Sequence, residues 1–127
     1  MPTIEKVLWL ATAGSLGTLA RWALSGLVHR YWNGSFPSGT MTVNVMGCFL
    51  FGIIWQLGQQ RLVLRTDVRF IVLAGFMGAF TTFSTFVFET DNLLRTGQWW
   101  YAAGNLFGQI ILGLIGLRLG IALVQWL

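Results

Sequence analysis

Four stretches of this chain, roughly Val7–Trp32, Gly39–Gln60, Val68–Leu94 and Trp99–Trp126, are apolar and run for 20 residues or more. About 20 such residues cross the ~30 Å hydrocarbon core of a bilayer as a helix. The joints between them are short. The first, Asn33-Gly34-Ser35-Phe36-Pro37-Ser38, is dense in turn formers, with Pro37 where a new helix would begin. The second runs from Gln59-Gln60-Arg61 to Asp67 and the third is Thr96-Gly97-Gln98, so no soluble domain fits between the spans. Charge agrees with this reading, because eight Lys and Arg and four Asp and Glu make only 9% of the chain. A soluble domain carries about a quarter. Seven Trp and two Tyr suit aromatic belts at two interfaces. The expectation is one all-α membrane domain over residues 1–127, with four transmembrane helices.

Several classes fall away. The net charge of +4 comes from basic residues scattered singly, not from the stripe that nucleic acid requires. One cysteine, Cys48, excludes an internal disulfide framework and reads as small filler. Val7 to Leu10 followed by Ala11-Thr12-Ala13 resembles a signal peptide, but the apolar run before that site is too short and hydrophobicity continues to Val28; the reading is a retained first helix. The single histidine, His29, has no nucleophile or orienting group spaced to make a triad, and no phosphate loop is present, so the chain does not read as an enzyme. Four crossings place both termini on one side, with Lys6, Arg61, Arg65 and Arg69 there against Arg30 and Arg95 opposite. The positive-inside rule favours cytoplasmic termini, and so small a bias permits either orientation.

Polar groups inside spans carry the information, because lipid makes each one costly. Arg21 shares a face with Gly14 and Gly17 and either snorkels to the interface or draws anions to a vestibule; Arg118 reads as snorkelling. Asn44 sits mid-span with Thr40 and Gly47 on its face, as interhelical glue or as lining. Tyr101, Asn105 and Gln109 recur every four residues on the last span. Glu89 and Asp91 are expected near an interface. Gly104 with Gly108, and Gly116 with Gly120, have the small-xxx-small spacing of close helix contact and point to pairing with a second copy.

The densest stretch is Gly75-Phe76-Met77-Gly78-Ala79-Phe80-Thr81-Thr82-Phe83-Ser84-Thr85-Phe86, with four phenylalanines, four hydroxyls and two glycines. Helical spacing puts Phe80 and Phe83 on one face, and Thr81, Ser84 and Thr85 on another. Those hydroxyls either bond back to their own helix or line a path. With no acid mid-span, a cation pathway lacks its carboxylate rings. Hydroxyls, amide N–H groups and the positive edges of phenyl rings suit a small, strongly hydrated anion.

Three motifs in this order resemble the Fluc (CrcB) family of bacterial fluoride channels along essentially the whole chain. They are Gly14-Ser15-Leu16-Gly17-Thr18-Leu19-Ala20-Arg21, then Gly39-Thr40 through Val43-Asn44 and Gly47, then Gly75 to Phe86. The resemblance implies an antiparallel, dual-topology homodimer in the bacterial inner membrane, with two pores that pass fluoride out of the cytoplasm. It makes Phe80 and Phe83 the pore rings and Asn44 a pore amide, with Thr40, Thr81, Thr82, Ser84, Thr85 and Tyr101 along the path and Arg21 at the vestibule. It implies a broken third helix whose Gly75 and Gly78 carbonyls hold a structural Na⁺. It continues that path along the last span through Asn105 and Gln109, which stand where the family often has Ser or Thr. Two rivals remain, a small multidrug transporter, which needs a carboxylate within its first helix where this chain has Arg21, and a structural subunit packing through its glycines.

Overall fold

A computed structural model of the protein describes residues 1–60 and 65–127. Among the described residues the chain is all helix: α1 (Thr3–Tyr31), α2 (Ser38–Gln60), α3 (Thr66–Phe70), a π-helical stretch (Ile71–Met77), α4 (Gly78–Phe80), α5 (Phe83–Arg95) and α6 (Trp99–Gln125). Three helical spans, Ser38–Gln60, Thr66–Arg95 and Trp99–Gln125, are long and apolar enough to cross a membrane. The 29-residue α1 is long enough, but Glu5, Lys6, Arg21 and Arg30 dilute its apolar character. Arg61, counted above among the positive charges, lies outside the described residues.

The turn between α5 and α6 shows local chemistry fixing a boundary. Gly97 takes φ +74°, which L side chains rarely adopt. Its N–H donates to Leu94 O at 3.1 Å and that of Gln98 donates to Leu93 O at 2.8 Å, the paired bonds of a Schellman motif. The orphan carbonyls at the end of α5 are thereby satisfied, and α6 folds straight back.

Packing interleaves the helices. The most extensive contacts join α2 to α6 and α1 to the π-helical stretch. Glycine makes both possible: Gly120 lies against Phe49 O and Gly52 against Leu117 O, where an added Cβ would overlap backbone. Gly17 likewise sits on the Phe76 carbonyl and Ala79. This revises the expectation that the glycines make a face for a second copy. Gly116 and Gly120 are consumed within the chain, against Val45 and Phe49, and Gly108 faces Met41. Between the two seams lies a core of Val43, Met77 and Phe80, with Leu24, Leu50, Leu73 and Phe76 around it. At one end Lys6 bonds Asp67 at 3.1 Å and lies 4.7 Å from the centre of the Phe70 ring, tying α1 to α3.

Candidate functional site

The span Thr66–Arg95 is not one continuous helix. Thr81 (φ −87°, ψ 160°) and Thr82 (φ −146°, ψ 117°) are extended, between α4 and α5. Sequence reading placed the opening at Gly75 and Gly78, yet Gly75 lies in the π-helical stretch and Gly78 in α4. The cause of the shift comes from another helix. Asn44 on α2 accepts the Thr82 N–H on Oδ1 at 2.8 Å and donates Nδ2–H to Thr82 O at 3.0 Å. One side chain so replaces both backbone partners that a continuing helix would supply. Gly47, one turn further along α2, leaves room for the Thr81 methyl group and the edge of Phe80. Thr82 then caps α5, accepting the Thr85 N–H at 3.3 Å and donating to Thr85 Oγ1 at 2.8 Å.

The interruption reorders the residues around it. Phe80 and Phe83 do not share a face, because two extended residues destroy the 3.6-residue period that would align them. Phe80 is 4% exposed and stacks on Phe76 with ring centres 5.8 Å apart. Phe83 is 78% exposed, tilted against Phe86 at 5.9 Å. The face proposed for Thr81, Ser84 and Thr85 is lost in the same way. The Thr81 hydroxyl donates back to Met77 O at 3.0 Å, Ser84 is exposed, and Thr85 turns toward a cleft.

That cleft, of about 700 Å³, opens beside the end of α1 and the start of α2. Its walls include Trp22, His29, Ser38, Thr40, Thr85 and Glu89. Thr40 donates to Glu89 Oε1 at 2.8 Å, while Glu89 Oε2 and Ser38 Oγ are buried with no partner among the described residues. Glu89 is therefore a half-buried acceptor on the cleft wall, and its pairing with a residue 49 positions away left no signal in local spacing. Asp91 is exposed and pairs with Arg95 at 2.6 Å. Arg21 does not line this cleft; its neighbours Trp22 and Ser25 do.

The polar line on α6 divides. Tyr101 is half exposed, edge-on to Phe36 with ring centres 5.8 Å apart. Asn105 is 0% exposed and Gln109 7%, and both are engaged. Asn44 donates to Gln109 Oε1 at 2.6 Å, Gln109 to Asn105 Oδ1 at 2.8 Å, Asn105 to Thr90 Oγ1 at 2.9 Å, and Thr90 to Phe86 O at 2.8 Å. Both Asn44 N–H groups are therefore taken. Gly75 is buried, its carbonyl accepting the Gly78 N–H, whereas Gly78 is exposed. Because Asn44 takes the Thr82 N–H, Gly78 O lacks the partner that an unbroken helix would give it.

Apolar spans packed through glycine backbones, with one interrupted where another helix satisfies the freed groups, define a multi-pass membrane protein. Residues 8–121 match the family model described as CrcB-like protein, Camphor Resistance (CrcB), and the chain belongs to that family. Among its relatives is a protein from Nitrosococcus oceani, named fluoride-specific ion channel FluC, 54% identical over 95% of this chain and 97% of its own length. Proteins of the same name from Solidesulfovibrio magneticus (51% identical, 94% and 96% covered) and Nitratidesulfovibrio vulgaris (52%, 93% and 95%) are similar to the same extent.

Proposed function

We propose that the protein is a fluoride-selective passive channel of the bacterial inner membrane and not an enzyme, letting fluoride leave the cytoplasm. The observation that carries this is whole-length similarity, up to 54% identity, to proteins named fluoride-specific ion channels. The interrupted third span supports it from within the chain. Just past its break the span leaves the Ser84 hydroxyl and the Phe83 ring exposed and turns Thr85 toward the cleft.

In this reading α1 is the fourth crossing, its 29 residues reaching about 43 Å at ~1.5 Å per residue. Two copies pair antiparallel with two pores, which gives the exposed Phe83 ring a place against the partner. The anion enters by the cleft past Thr40 and loses water stepwise to the Thr85 and Ser84 hydroxyls and to the ring edge of Phe83, and it meets the core ring of Phe80 only where that ring leaves its stack on Phe76. Tyr101 belongs to the same path, and Arg21 contributes positive potential at a vestibule. Thr81, Thr82 and Asn44 shape the break, and Asn44 meets the ion only by giving up one of its two donated bonds. Freed of its helical partner, the Gly78 carbonyl has the hard-oxygen character that suits a structural Na⁺, with Gly75 O offering its second lone pair. Bound there, such an ion would supply fixed positive charge beside the break.

The test is purified protein in liposomes loaded with potassium fluoride or potassium chloride, with efflux followed by ion-selective electrodes. Fluoride is expected to leave far faster than chloride. Equal leakage of the two, or none of either, overturns the proposal.

A further inference from the structure

We infer that Gln109 and Asn105 are positioning residues in a one-way hydrogen-bond relay that begins and ends on the first turn of α5 and holds Phe83 in place. The link to ion flow rests on the fluoride-channel reading; the brace itself does not.

The direction follows from one group. A backbone N–H can only donate, so the Asn44 atom facing Thr82 N is Oδ1, and its nitrogen is left to face Thr82 O and Gln109. Gln109 must then present Oε1 to Asn44 and Nε2 to Asn105. Asn105 in turn receives on Oδ1 and gives from Nδ2 to Thr90, whose hydroxyl donates to Phe86 O. Every donor points the same way from Thr82 N to Phe86 O, through α2, α6 and α5, and no bond exceeds 2.9 Å. An amide fits each middle position because it accepts on one side and donates on the other.

The two ends of the relay bracket Phe83, Ser84 and Thr85. Phe83 is 78% exposed and has few contacts of its own to orient it, so its direction depends on the turn that carries it. Neither Asn105 nor Gln109 reaches the cleft, and their burial leaves them to act through Asn44 and Thr90. A chain of this kind fails as a unit, because one missing link leaves the remaining buried groups unpaired.

The experiment compares Gln109→Met, Asn105→Leu and the double variant. Hydrogen exchange of the peptide covering Thr82 to Phe86 and fluoride efflux from liposomes are measured on each, with elution volume as the check on folding. Each single variant is expected to raise exchange of that turn and lower efflux roughly tenfold, and the double variant to match the singles within about twofold. Multiplying losses, or reduced efflux with unchanged exchange, would mean that the two amides line the path separately and would overturn the relay. Should Gln109→Met not elute as folded, Thr90→Val keeps the shape and removes the hydroxyl that accepts from Asn105 and donates to Phe86 O; unchanged exchange in that variant equally overturns it. Loosened exchange in a protein whose wild type passes no fluoride sinks the channel reading and leaves the brace standing.

Discussion

Gly104 and Gly120 lie on one helix with matching sequence patterns, yet alanine at the two positions should change stability in opposite directions. An added Cβ at Gly104 meets only the Phe36 ring, at 3.7 Å, an ordinary contact. Replacing that glycine should therefore gain up to about 1 kcal/mol of helix propensity. At Gly120 the same atom would overlap Phe49 O and crowd Ile53 N at 3.1 Å. Backbone cannot rotate aside, so α2 and α6 must part by roughly 1 Å, enough to forfeit a quarter to a half of each contact along the seam. Overpacking of this kind costs about 1–3 kcal/mol, which exceeds the propensity gain. Gly120→Ala should thus be less stable than wild type by up to about 2 kcal/mol, and Gly104→Ala as stable or more so. Detergent-solubilised variants unfolded by sodium dodecyl sulfate and followed by tryptophan fluorescence read this directly. Equal midpoints for the two variants would refute the reasoning, since only propensity would then be at work.

Phe83→Ile and Phe80→Ile should both reduce fluoride efflux with folding kept, but only the second should also lower stability, because Phe80 is 4% exposed and Phe83 78%. A filled core ring cut to Ile is expected to cost about 1–3 kcal/mol in the same unfolding assay, and equal stability of the two variants would argue against the separation of their faces. Thr82→Val removes the oxygen that caps α5 while leaving its shape, and should destabilise by about 1 kcal/mol and speed hydrogen exchange at the Thr85 amide. Unaltered exchange there would show that the cap contributes nothing.

The helical, membrane-crossing character of the chain was legible because it depends on a sum over many residues, as in Trp99–Gln125, where charge is almost absent. The position of the interruption was not. Two glycines looked like the weak point, whereas the helix opens at two threonines because Asn44, 38 residues earlier, bonds both the N–H and the C=O of Thr82. A residue's own propensity says nothing about a partner on another helix. The same limit explains the faces: extrapolating a helical period from Phe80 to Phe83 fails once Thr81 and Thr82 extend. Local sequence did hold a clue in Thr82 itself, a capping residue three before Thr85. The polar line on α6 was visible as a line, but spacing cannot tell amides bonded to one another from amides open to an ion.

The interleaved packing bears on how the chain is made. Its first helix rests mainly on the span Thr66–Arg95 and its second on the last, so the backbone groove at Gly52 of α2, which receives Leu117, has no partner until α6 has been synthesised. From Gln60 to Gln125 a ribosome working at ~5–20 residues per second needs roughly 3–13 s. Throughout that interval lipid must cover a groove shaped for backbone, and a chain terminated before Trp99 would keep that groove open.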